Sequence, residues 1–97
     1  MSTLHVLSHS PFGDSRFASC LRVLGEPDAL LLCGDATYAL RAATVPFAEL
    51  QRRGLKLFVL GEDAQARALD IPQWAEAIDY PAFVALSVHH DKVNTWL

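Results

Sequence analysis

Ala29-Leu30-Leu31-Leu32-Cys33, bounded by Asp28 and Gly34, is an uninterrupted apolar run of strand length. A strand with one wet face alternates apolar and polar residues, whereas a strand covered on both faces has no reason to. The run therefore reads as an inner strand of a parallel sheet with helices over it. Leu55-Lys56-Leu57-Phe58-Val59-Leu60 repeats the pattern, interrupted only by Lys56. Thr3 to Ser8 supplies another strand, with Leu4, Val6 and Ser8 on one face, and Ala77-Ile78-Asp79 a short one.

The segments between them carry helix signals. Asp14 or Ser15 can N-cap a helix to about Leu24, with Phe17, Cys20, Leu21 and Leu24 as its apolar stripe and Gly25 as its C′ glycine. A short helical stretch is expected from Thr37 to Ala43. Pro46 then starts a helix that turns Phe47 and Leu50 inward and stops at Gly54. Glu62 and Asp63 open the next helix and Arg67 lies near its end, as the helix dipole prefers. Asp79 can cap a last helix through Phe83, Val84, Leu86 and Val88 to about His90, with Pro81 in its first turn. The stretch Val84 to Val88 also alternates as a strand would. Strands alternating with helices mean βαβ units with right-handed crossovers. The fold class expected is α/β: a three-layer sandwich on a mostly parallel sheet of four or five strands, one domain over residues 1–97.

Composition narrows the function classes. A formal net charge of −3, with Arg52, Arg53 and Lys56 as the only basic cluster, argues against direct nucleic-acid binding, which needs a basic field. That cluster falls at a helix end and a strand start, where cations complement the dipole. No window approaches the roughly 20 apolar residues of a membrane span, and no signal peptide is read in the first residues. Two cysteines without a secretion signal fit reduced thiols, so the chain is expected in the cytoplasm. A hydrophobic fraction of 52% is hard to bury in so small a domain, which favours an oligomer.

The two ends resemble a known family. Leu4-His5-Val6-Leu7 followed by Ser10-Pro11-Phe12 is similar to the opening of the TusB/DsrH family, a Leu-His-x-Leu strand leading into a Ser-Pro-aromatic loop. Asp28 to Leu32, and Glu62-Asp63 with Ala66-Arg67, resemble its internal segments. Ile78-Asp79-Tyr80, Phe83-Val84, Leu86-Ser87-Val88, His90 and Trp96 resemble its Asp-Tyr-x-x-Phe-Val-x-Leu-x-Val-x-His ending with a nearby Trp. Ala36 and Ala68 depart from the pattern, standing where Asp-Gly and Arg-Gly are common.

The resemblance implies a DsrEFH-like fold and a sulfur-relay subunit. Its partners would be TusC/DsrF-like and TusD/DsrE-like chains in a dimer of heterotrimers. TusA-like donors and TusE/DsrC-like acceptors would reach it through that complex, in 2-thiolation of the tRNA wobble uridine or, in the DsrH branch, in sulfur oxidation. The principal sulfur-carrying cysteine of such complexes belongs to the TusD/DsrE-type chain, so a non-catalytic role is expected here.

A relay thiol must be partly exposed, with its pKa lowered by a helix N-terminus or a cation. Cys20 lies mid-helix on the apolar stripe; DsrH-type members carry a cysteine in this region, and Arg16 one turn earlier can favour a thiolate, so Cys20 is the sulfur-handling candidate against a plain core reading. Cys33 ends a strand at the sheet edge where ligands bind, against a core reading of its own. His9, in the loop after the first strand, can assist a thiol there. His5 and His9 are four apart but fall on a strand and the loop after it instead of one helix face, and His89 and His90 are adjacent. No metal motif accompanies them, so no metal and no cofactor is expected. Tyr80, Phe83, His90 and Trp96 are the interface candidates, since aromatic residues concentrate at interfaces. The rival readings are a stand-alone ligand-binding or regulatory module, which lacks any Gly-x-Gly-x-x-Gly or Walker loop, and a sulfurtransferase acting alone.

Overall fold

Ala29–Leu32 forms β2, the middle strand of five, and all four of its residues are buried. It is flanked by β1 (Thr3–Leu7) and β3 (Lys56–Leu60), with β4 (Glu76–Ile78) and β5 (Lys92–Trp96) at the edges, in the order β4-β3-β2-β1-β5. Every pairing is parallel, and Leu31 lies opposite Val6 and Phe58. This computed structural model describes residues 2–96.

Four α-helices connect the strands: α1 (Arg16–Val23), α2 (Val45–Arg53), α3 (Gly61–Ala66) and α4 (Tyr80–His89). A 3₁₀ helix, Gly34–Leu40, precedes α2. Three successive crossovers step from β1 to β4 in one direction, and the last returns across the sheet to β5. Right-handed crossovers in opposite directions put their helices on opposite faces. The packing agrees. On one face Leu7, Leu30, Leu32, Leu57 and Val59 meet Phe17, Cys20, Leu21, Leu40, Leu50 and Ala64. On the other, Leu4, Val6, Ala29, Leu31, Leu60 and Ile78 are covered by Ala82, Phe83 and Leu86 of α4, with Cys33 and Phe58 packed beside them.

Local chemistry accounts for most boundaries. Asp14 Oδ1 accepts from the Arg16 backbone N–H at 2.9 Å, starting α1. Asp79 Oδ1 accepts from the Ala82 N–H at 2.9 Å, so the last segment starts as a helix and not as the strand its alternation also allowed. Gly54 stops α2 at φ 59 as expected. Gly25 does not play that part: α1 ends on an extended Leu24, and the Gly25 N–H is used by the Asp28 carboxylate. The stretch expected at Thr37–Ala43 begins earlier and as 3₁₀, because Gly34 makes the turn at φ 53 and Thr37 Oγ1 donates to its carbonyl. A Cβ at Gly34 would also stand 3.3 Å from the Ser8 carbonyl oxygen.

Ala68, after α3, sits at φ 54, a left-handed conformation that costs a Cβ-bearing residue energy. Ala68→Gly is expected to raise stability by about 0.5–1 kcal/mol after the extra unfolded-state entropy of glycine is subtracted. The check is a thermal melt, in which Tm rises by roughly 2–8 °C. Ala36, by contrast, is buried inside the 3₁₀ helix and is not among the described residues with positive φ.

Candidate functional site

Crossovers that leave neighbouring strands for opposite faces open a crevice at the carboxyl edge of the sheet. Here α3 follows β3 on one face and α4 follows β4 on the other. The chain segments gathered at this edge are Cys33-Gly34 after β2, Asp63 in the first turn of α3, and Tyr80 at the start of α4. Cys33 is half-buried, and its thiol donates to the Leu7 carbonyl at 3.4 Å. Asp63 Oδ2 accepts the Gly34 N–H at 2.7 Å, tying α3 to the end of β2.

The field here is negative. Burial, and then the Asp63 carboxylate, push the Cys33 thiol above its ordinary value. The Tyr80 phenol is also raised, by Asp63 first, then burial, then the charges of Glu62 and Cys33. Arg67 is held elsewhere: its guanidinium donates to Asp35 Oδ1 at 2.9 Å and to the Asp63 carbonyl at 3.0 Å, and like Arg41 it lies over the Tyr38 ring. A thiolate at Cys33 thus gains nothing from its surroundings, and the edge is built for packing more than for nucleophilic attack. His9 stays exposed in the loop after β1.

Cys20 faces the core between α1 and the sheet and is fully enclosed. Burial raises its thiol to about 12; the Arg53 guanidinium opposes this and the Asp28 carboxylate adds to it. Arg16, which the sequence offers as a thiolate-stabilising cation, forms an ion pair with Asp14. A cleft of about 1060 Å³ opens on the outer side of α1 toward α2, over Phe12, Phe17, Leu21 and Val45, so Cys20 lies behind its floor. Sulfur handling at Cys20 would require α1 to move off the sheet.

The interface candidates separate. Tyr80 is 52% exposed. Phe83 is half-buried against the sheet, where it supports α4. His90 ends α4, its Nδ1 at 2.9 Å from the Leu86 carbonyl and its ring edge-on to His89. Trp96 docks on the chain's own core, with its indole N–H donating to His5 Nδ1 at 3.2 Å. Two residues not singled out from the sequence join Tyr80: Val84 is 61% and Val88 80% exposed. At spacings of four they form one ridge along α4. The signal was present, because Tyr80–His89 contains no Asp, Glu, Lys or Arg and no residue of α4 is fully buried. A helix apolar on every side is expected to be covered on every side.

Among the described residues no group of three or more His, Cys, Asp or Glu side chains could hold a metal ion, and no helix is long and apolar enough to cross a membrane.

Residues 9–93 match the family described as DsrH like protein. The chain is 37% identical over 95 residues to Protein TusB of Escherichia coli O81 (strain ED1a), covering 96% of this chain and 99% of that protein. It matches Protein TusB of Shigella boydii serotype 18 (strain CDC 3083-94 / BS512) with the same identity and coverage. Among solved structures, the ychN protein from E. coli superposes with a TM-score of 0.70 over 99% of this chain and 100% of that one; at 15% identity this speaks to the fold alone.

Proposed function

This chain belongs to the TusB/DsrH family, and from that premise we propose that it is an accessory, non-catalytic subunit of a TusBCD-like sulfurtransferase complex. In this reading the complex relays persulfide sulfur in the cytoplasm toward 2-thiolation of the tRNA wobble uridine. Partner chains of the TusC/DsrF and TusD/DsrE kinds complete a dimer of heterotrimers, and TusA-like and TusE/DsrC-like proteins deliver and collect the sulfur.

The observation that carries the accessory role is the state of the two thiols. A sulfur carrier must ionise near neutral pH, and here burial holds both Cys20 and Cys33 on the protonated side. The subunit's contribution is then its surface. The ridge Tyr80–Val84–Val88, supported from beneath by Phe83, is the contact that partner chains cover, and Cys20 is a packing residue. The presence of Cys20 does favour a second reading of the pathway, the DsrH-type position in sulfur oxidation, with the same accessory role.

Native mass spectrometry of the tagged chain, purified from its own cells, tests this. Recovery with two similarly folded chains in a doubled heterotrimer is the expected result. Recovery alone or as a homo-oligomer would overturn the subunit assignment.

A further inference from the structure

His5 is a buried, titratable side chain that the proposed function does not use. It lies in the middle of β1 and is 4% exposed. On one side its Nδ1 accepts the indole N–H of Trp96 at 3.2 Å, with the rings 6.2 Å apart. On the other its Nε2 stands 3.5 Å from Asp28 Oδ2. Because Nδ1 is the acceptor, the proton of the neutral ring resides on Nε2 and points at the carboxylate. Asp28 is itself fixed by the backbone N–H groups of Thr3 and Gly25, both at 2.9 Å.

Apart from its backbone ladder to β1, which runs from Lys92 to Trp96, the strand that Trp96 belongs to has few side-chain ties. β5 is an edge strand paired only with β1, and Lys92, Val93, Asn94 and Thr95 are all exposed. Its sole partly buried side chain is Trp96. The start of the strand is held by the Lys92 N–H donating to the Ser2 carbonyl and by the Asp91 carboxylate accepting from the Ser2 N–H.

We propose that His5 is a proton-operated latch for β5, closed when the imidazole is neutral and opened when a proton from solvent adds to Nδ1. In the neutral ring Nδ1 offers a lone pair to the indole N–H. In the imidazolium both nitrogens are donors, so the Trp96 hydrogen bond is replaced by two opposed N–H groups. The charge gained is not stranded, because Asp28 faces Nε2 and stabilises the imidazolium. Two matched states result: neutral His5 with Trp96 docked, and an imidazolium–carboxylate pair with Trp96 released. Of the other titratable or charged groups on this side of the sheet, Cys20 on α1 feels the charges of Arg53 of α2 and of Asp28. The remaining charges of these helices are Arg16 and Arg22 on α1 and Glu49 and Arg52 on α2, and Asp91 and Lys92 stand at the head of β5. Opening the latch loosens β5, so β1 becomes the sheet edge, with its backbone groups a template for another strand, about tenfold more often.

The test is the pH dependence of the Trp96 indole N–H resonance and of β5 amide exchange, on the full chain labelled with ¹⁵N. As the pH is lowered from 8 to 5, the Trp96 indole signal should shift while that of Trp74 stays put. Protection of the Lys92–Trp96 amides should fall about tenfold relative to the β2 amides, the loss of roughly one hydrogen bond. His5→Gln, which does not titrate, should abolish both changes. Trp96→Phe, which keeps a ring and lacks the N–H, gives a second check: its β5 protection should be low already at pH 8 and lose most of its pH dependence. An indole signal that does not move in the parent chain, or moves identically in His5→Gln, overturns the latch. So does Trp96→Phe with the parent's protection profile.

Discussion

Replacing Val84 and Val88 together with glutamate is expected to abolish recovery of the partner chains and to leave the isolated fold intact. Both side chains point away from the sheet, at 61% and 80% exposure, so the monomer loses almost no burial. Surface changes of this kind move stability by about 0.5 kcal/mol or less, and glutamate is a better helix former than valine. In the proposed complex the same two positions would lie under a partner, and each carboxylate would be buried without a counter-charge. An uncompensated buried charge costs several kcal/mol, so affinity should fall by about 10³-fold or more. The readouts are a thermal melt of the variant alone and native mass spectrometry of the material it recovers. A full complement of partners on the double variant would show that the ridge is not the interface.

Cys20 in the folded protein should react with iodoacetamide about 10³-fold more slowly than a thiol of the unfolded chain, on protonation alone. Its pKa is raised from 9.0 to about 12 by burial, which lowers the thiolate fraction at neutral pH by that factor. Enclosure by α1 and the sheet slows the reaction further. Cys33, half-exposed, should label first, and intact mass should show one early addition and a second that appears only with denaturant. Equal labelling rates would mean that α1 opens readily, and would return Cys20 to sulfur chemistry.

The same shift fixes how stability depends on alkali. The folded state holds the thiol proton more tightly than the unfolded state, so this stabilisation is complete below the unfolded value of 9.0 and is lost as pH rises toward 12. By pH 10 the loss is about 1 kcal/mol. Cys20→Ala should remove that slope.

Much of this architecture was legible because burial leaves marks on composition. The β2 and β3 runs are apolar at nearly every position, which is what two covered faces require, and both appear in the sheet at nearly the expected limits. Asp79 and Gly54 marked helix ends because capping and left-handed turns depend on residues within a few positions of themselves. β5 left no such mark: four of its five residues are exposed, Lys-Val-Asn-Thr has no core-facing pattern, and the strand exists because β1 offers it a backbone edge 91 residues away at Trp96–His5. Gly25 misled for a related reason, since the carboxylate of Asp28 claimed its N–H before a helix cap could.

The candidate site divides the same way. Residue types and spacing alone determined which side chains could carry chemistry, that they belong to an α/β sheet, and that the chain is similar to the TusB/DsrH family. Only the tertiary structure decided that Cys20 faces inward, that Cys33 sits in a negative field, that Phe83 and Trp96 are spent on the chain's own core, and that Val84 and Val88 are left outside. The physical reason is that propensity, capping and periodicity act over a few residues, whereas exposure and local potential are set by whichever distant segments the topology folds over a side chain.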